Sequence, residues 1–291
     1  MSNDIAGYLI IGLGMAQLFV SYRVRLNPVF ALVLLSRWVR WILFGLGMAY
    51  LAREWVGSTR AYWSLAPMFL LLWILLESIY AWLAVKALSL SNLPVFPNYR
   101  SSSGDIGWPV EKGYLAAKDE IKRLGFSLRE KMKASLGPQM DLQSALYLDE
   151  SETIRLQVVF APRATGRPAL FFILSSKSEE CRWATDNVWL PFGGVFPENW
   201  KVDRNPFTRR LKSLFKKHLR TIAKEGATLE KFNEDLVDEL NDEQDKLDKE
   251  STERGVLFPR RQRPEFGKLT VDGRYRVWKQ ILLLNYLGRI V

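Results

Sequence analysis

The chain has 291 residues, a net charge of +10, one cysteine (Cys181) and one histidine (His218). One cysteine closes no internal disulfide and one histidine supplies no multi-histidine metal centre, so a disulfide scaffold and zinc chemistry are set aside, and no cofactor or catalytic motif is present. The basic excess fits either a nucleic-acid binder or a membrane protein whose Lys and Arg meet anionic lipid. The mean hydropathy of −0.06 averages two unlike regions, one of which holds a stretch apolar and long enough to span a bilayer, and the membrane is the favoured reading.

The change of character falls near Arg100: before it the acids are only Asp4, Glu54 and Glu77, and after it the composition is that of an ordinary water-soluble domain. Residues 5–22 form an apolar run of about the minimum spanning length, closed by Arg23 and Arg25. A cleaved signal peptide would need basic residues before the run and a small-x-small site after it; neither is there, so this is an uncleaved first span.

Asn27 and Pro28 offer a cap and a first helical residue for a second span, residues 28–56. Arg37 and Arg40 interrupt it. Either the helix crosses from Pro28 with both arginines inside the bilayer, or only residues 38–56 cross. The third span, residues 62–85, is the most apolar stretch and holds one carboxylate, Glu77. Counted at 1.5 Å per residue from the Pro28 and Val85 ends, Arg37 lies about 13 Å deep and Glu77 about 12 Å, so a pair between Glu77 and Arg37, or Arg40 one turn on, would relieve the burial of charge.

The arginines of the first connection outweigh those of the second, which predicts an N-terminus outside and the C-terminal domain in the cytoplasm. The motif GLGMA occurs in each of the first two spans and places Gly12 with Ala16, and Gly45 with Ala49, on single helix faces. That is the small-xxx-small spacing of close helix packing, and without a preceding strand it is not a nucleotide loop.

Residues 89–109, rich in Ser, Pro, Asn and Gly, are expected to link the transmembrane domain (1–88) to an α+β domain (110–225). Helical periodicity over 110–124 is followed by period-two runs at 126–134, 142–148, 153–160, 169–174 and 181–185, joined by turns too short for crossover helices. The prediction is an antiparallel meander of about five strands, one face covered by the 110–124 helix and a basic helix over 206–224. Residues 226–291 form a helical extension: an acidic helix over 228–254, expected to lie antiparallel beside the basic one and offset its charge, then a last helix over 272–287.

Four sets of residues are candidate sites. Cys181 with His218 has the composition of a nucleophile and base, although both fall on apolar faces. Asp186, Asn187, Glu198 and Asn199 on the long 187–205 loop could form an acid–base pair or serve as turn and cap residues. Arg260, Arg261, Arg263, Arg274, Arg276 and Lys279 flank or begin an aromatic last helix that either lies on an anionic membrane surface or packs on the protein. Glu77 with Arg37 or Arg40 is either a structural clamp or a charge relay.

The reading is a three-span membrane protein with a cytoplasmic α+β domain that acts as an interaction or scaffold module. Its expected partners are lipid and a protein or second copy; nucleic acid and cofactors are not expected. A transport or sensing component, and a membrane-surface enzyme using the 187–205 loop, are the competing readings. A multi-pass bacterial inner-membrane protein is the assumed setting, which no residue dictates.

Overall fold

The computed structural model describes residues 3–26, 29–104, 108–137, 140–162, 166, 168–191 and 194–288. In chain order the elements are helices α1 (Asn3–Leu26), α2 (Phe30–Glu54) and α3 (Tyr62–Leu90), strand β1 (Arg100–Ser101) and helix α4 (Lys112–Arg123). There follow strands β2 (Ser127–Ser135), β3 (Asp141–Leu148), β4 (Arg155–Ala161), β5 (Ala169–Lys177), β6 (Arg182–Asp186) and β7 (Trp200–Arg204). Helices α5 (Leu211–Glu225), α6 (Leu236–Glu253), the single turn α7 (Arg263–Phe266) and α8 (Val271–Leu287) complete the chain. Two compact units result, one of residues 1–87 with 275–291 and one of residues 88–274.

In the first unit α1, α2 and α3 are each long and apolar enough to cross a membrane. Their 24, 25 and 29 residues correspond to about 36–44 Å, against a hydrocarbon core of about 30 Å. The cap expected at Asn27 and Pro28 lies outside the described residues; α2 starts at Phe30 after an extended Val29. Small residues allow the helices to meet: Ala49, Leu65, Ala66 and Tyr62 form a buried cluster with Ala6, and the Tyr62 hydroxyl donates to Leu46 O at 3.1 Å. Gly45 lets α3 come close, because an added Cβ would lie 2.5 Å from the Leu70 side chain and force it to shift.

In the second unit the expected antiparallel meander of about five strands is corrected. The sheet is seven-stranded and mixed, in the order β1-β2-β3-β4-β5-β6-β7, antiparallel throughout except for the parallel β6–β7 pair. The five period-two runs correspond to β2–β6. β1 comes from the stretch expected as a linker, and β7 from the long loop, where the chain returns to the start of β6 so that Arg182 aligns with Trp200 and Asp186 with Arg204.

The sheet is covered on both faces. On one, α4 and α5 bury Ile121, Leu211 and Leu214 against Tyr147, Leu156, Val158, Phe160, Phe172 and Leu174. On the other, α6 buries Leu236, Val237 and Leu240 against Met132, Ala134, Leu146 and Leu148. Two-sided burial is why β4 is buried almost from end to end, the polar Arg155 and Gln157 included. The basic α5 and acidic α6 therefore lie on opposite faces rather than side by side, which corrects the expectation that they offset each other.

α5 starts at Leu211 because Glu120 of α4 caps it from outside, its two carboxylate oxygens accepting from Leu211 N and Lys212 N at 3.2 Å each. α6 starts at Leu236, where the Asp235 side chain accepts from Asp238 N at 3.1 Å. The preceding residues run extended instead, Glu230 N donating to Lys177 O and Phe232 N to Glu152 O.

Residues 88–104 are anchored along their length. Leu269 N donates to the Ser89 hydroxyl at 2.9 Å, the Lys268 ammonium donates to Leu88 O and Leu93 O, and the Asn241 side chain takes both backbone groups of Tyr99, at 2.8 and 2.9 Å. Gly267, at φ +82°, makes the first of these possible, since a Cβ there would lie 2.8 Å from Ser89 Oγ.

Candidate functional site, a polar node among the apolar helices

Glu77 sits just past the middle of α3 and is met by side chains from α2, from α8 and from α3 itself. Arg37 of α2 places Nη1 2.5 Å from Oε1, Trp73, one turn back on α3, donates Nε1–H to Oε2 at 3.1 Å, and the Tyr286 hydroxyl of α8 donates to the same Oε2. The two side chains of the ion pair are 33% (Arg37) and 19% (Glu77) exposed. Arg40, the other candidate partner, is exposed and forms no ion pair among the described residues.

Indole donors frame the node. Trp38 Nε1 donates to Tyr286 O at 2.9 Å, Trp41 Nε1 to Leu70 O at 2.9 Å, and Trp278 Nε1 to Ser78 O at 3.1 Å. Trp38, Trp41 and Tyr286 meet edge to face. A second polar contact joins α1 to α2, where Gln17 Nε2 donates to Ser36 Oγ and Ser21 Oγ at 3.1 Å each. Chemically the node neutralises one carboxylate with one guanidinium and satisfies both of its oxygens, an arrangement that holds helices in register.

Of the small residues, Gly45 and Ala49 are buried at the α2 contact, whereas Gly12 has nothing within 4 Å of its Cβ position and Ala16 is exposed. No protein-family model, characterised protein or solved structure matches the chain.

The loop candidates are not brought together. Asp186, at the end of β6, is buried, its Oδ1 accepting from Val188 N at 2.9 Å and its Oδ2 lying 3.4 Å from Arg204 Nε. Burial pushes its carboxyl up to about 6, with Arg204 opposing the shift. Asn187 spans two backbone segments, accepting from Phe172 N and donating to Thr208 O. Glu198 is 90% exposed beside Arg254. Asn199 supplies its carbonyl to Arg182 N at the opposite end of β6, about 13 Å of strand away from Asp186.

His218 is fully buried, its ring nitrogens in contact with Ser176 Oγ at 3.1 Å and Thr185 Oγ1 at 2.9 Å. Burial drives its pKa down to about 4, so it is a neutral imidazole at physiological pH. Cys181 lies in the β5–β6 turn, its backbone N–H held by Ser178 Oγ.

Arg260 spans Asp245 and Asp248 at 2.5 and 2.8 Å, and Arg263 meets Asp248 at 2.7 Å. Those two cations are engaged by α6, while Arg261, Arg276 and Lys279 are exposed and Arg274 is half-buried. Arg260, Arg263 and Lys268 also line a cleft of about 600 Å³ with residues 89–98 and Asn241, Gln244, Asp245, Asp248 and Pro264. Among the described residues no cluster of His, Cys, Asp and Glu is arranged to hold a metal ion.

Sequence reasoning missed a charged cluster beneath α6. Arg155, 2% exposed, meets Glu243 at 2.7 Å, Lys177 meets Glu239 at 2.7 Å, and Arg182 pairs with both glutamates. The Phe232 ring lies under Arg155, at 4.8 Å, and under Lys177, at 5.2 Å. Its signal was an arginine inside an apolar strand together with Glu239 and Glu243 one turn apart on one helix.

Proposed function

We propose that the protein is a multi-span membrane protein whose α+β unit is a non-enzymatic interaction module held at the cytoplasmic surface, with the N-terminus outside. The observation that carries this reading is the satisfaction of Glu77 by Arg37, Trp73 and Tyr286, which fits a clamp between helices better than a relay needing an open, exchangeable carboxylate. The α+β unit supports it from the other side. Asp186, Asn187 and His218 are each committed to partners within the fold, and Glu198 stands apart from them in solvent.

A protein partner, or a second copy, is the proposed object of that interaction. Purification of the full chain in mild detergent after in-membrane crosslinking tests it. A reproducible stoichiometric species, heteromeric or dimeric, is expected. A chain that stays monomeric and uncrosslinked, or that leaves the membrane fraction without detergent, would overturn the reading.

A further inference from the structure

α5 displays a row of cations, Lys212, Lys216, Arg220 and Lys224, one turn apart along its solvent face. Like charges at i,i+4 destabilise a helix by roughly 0.2–0.5 kcal/mol per pair, so folding alone gives no reason for the row. Nothing nearby relieves it: among the described residues none of the four is in an ion pair, Glu225 is drawn to Lys201, and Glu120 is spent capping α5. The acidic α6 is on the other face of the sheet, where its carboxylates meet Arg155, Lys177, Arg182, Arg260 and Arg263.

The unit thus separates its charge, with most of the α6 carboxylates in ion pairs and the α5 row in none among the described residues. We propose that this row, with Lys122 of the adjacent α4, is an electrostatic docking surface for a bilayer rich in anionic phospholipid. Residues exposed between the cations are Ser213, Lys217, Leu219 and Ala223. None offers an aromatic ring to stack a base or an amide to read a base edge, which sets the surface apart from a nucleic-acid groove. The choice of lipid rests on the membrane reading above: apolar helices in the same chain keep headgroups at high local concentration.

The test is vesicle flotation of the full-length protein carried in phosphatidylcholine nanodiscs. It should float with vesicles of phosphatidylcholine and phosphatidylglycerol, not with phosphatidylcholine alone, and high salt should release it. Each cation near an anionic surface is worth roughly a fivefold gain in partition. Changing Lys212, Lys216, Arg220 and Lys224 together to Gln should therefore lower partition by about two to three orders of magnitude. The same variant should melt at or above the wild-type temperature, since repulsion along α5 is relieved, which separates lost docking from lost fold. Equal flotation of variant and wild type, or flotation that ignores lipid charge, overturns the proposal. So does binding of a labelled RNA or DNA duplex through the same four residues without vesicle partition. Failure of the membrane reading would instead appear as a chain soluble without detergent or nanodisc.

Discussion

Replacing Glu77 by Gln removes the charge that Arg37 faces while keeping the side chain's shape. Stranding one partner of a buried ion pair costs about 3–5 kcal/mol, and an exposed pair is worth only about 0–1 kcal/mol. With Arg37 33% and Glu77 19% exposed, the expected loss lies between these limits, about 2 kcal/mol. The insertion cost of an unpaired arginine at a helix centre, about 2.5–3.5 kcal/mol, bounds it from above. Glu77→Gln combined with Arg37→Gln leaves no stranded charge and allows an amide–amide hydrogen bond, so the double variant should recover about 1–2 kcal/mol relative to the sum of the single losses. Arg40→Gln should couple to Glu77→Gln by less than about 0.5 kcal/mol. Reversible unfolding in detergent, followed by tryptophan fluorescence, reads the three single and two double variants, because Trp38, Trp41 and Trp73 surround the node. Strictly additive losses for Glu77 and Arg37 would refute the clamp.

Three further outcomes are expected. Glu243→Gln should destabilise the α+β unit by about 3–5 kcal/mol, because Arg155 and Arg182 both lose a carboxylate under α6; thermal unfolding with a loss below about 1 kcal/mol would contradict it. His218, near 6.5 unfolded and about 4 folded, contributes stability that is whole above about pH 6.5 and is lost, by roughly 3 kcal/mol, as pH falls toward 4. Asp186, held up to about 6, works in the opposite sense over much of that window, so the His218 contribution is read as the difference between wild type and His218→Asn in urea unfolding; parallel pH profiles would remove it. Finally, in intact cells a cysteine placed at Ser58 should react with an impermeant maleimide and one at Ser102 should not, and the reverse pattern would invert the topology.

How much the sequence told in advance depended on whether a local period survived. β2–β6 announced themselves because Phe126, Leu128 and Met132 alternate with charge, and because the later strands are short apolar runs between turns. β1 has two residues and no period to detect. β7 does alternate, with Trp200 and Val202 against Lys201 and Asp203, but Pro197 and Asn199 disguised it as loop; its parallel pairing depends on a return path that no local pattern encodes. The placement of α6 failed for a physical reason. Opposite charge on consecutive helices was read as mutual attraction, whereas exposed ion pairs are weak and an apolar stripe of Leu236, Val237 and Leu240 is worth more against the free face of the sheet.

The last helix carries the same lesson from the other side. Its cations and aromatics suggested a helix lying on a membrane surface, and its mixed stripe does not choose between that and packing on the protein. What chooses is the unsatisfied chemistry of its neighbours. Glu77 has two oxygens: the Arg37 guanidinium covers Oε1, and Oε2 takes the Trp73 indole N–H from one turn back on α3, with a lone pair left over in apolar surroundings that costs free energy until a second donor reaches it. The Tyr286 hydroxyl reaches it, and the same residue's carbonyl takes the Trp38 indole N–H that would otherwise lack a partner in apolar surroundings. Unlike Trp73, which lies four residues from Glu77, the second donor to Oε2 is more than two hundred residues away in the chain and therefore appears in no window of the sequence. A charge placed in an apolar helix is thus a demand on the rest of the chain, and α8 belongs beside α2 and α3 because it answers that demand.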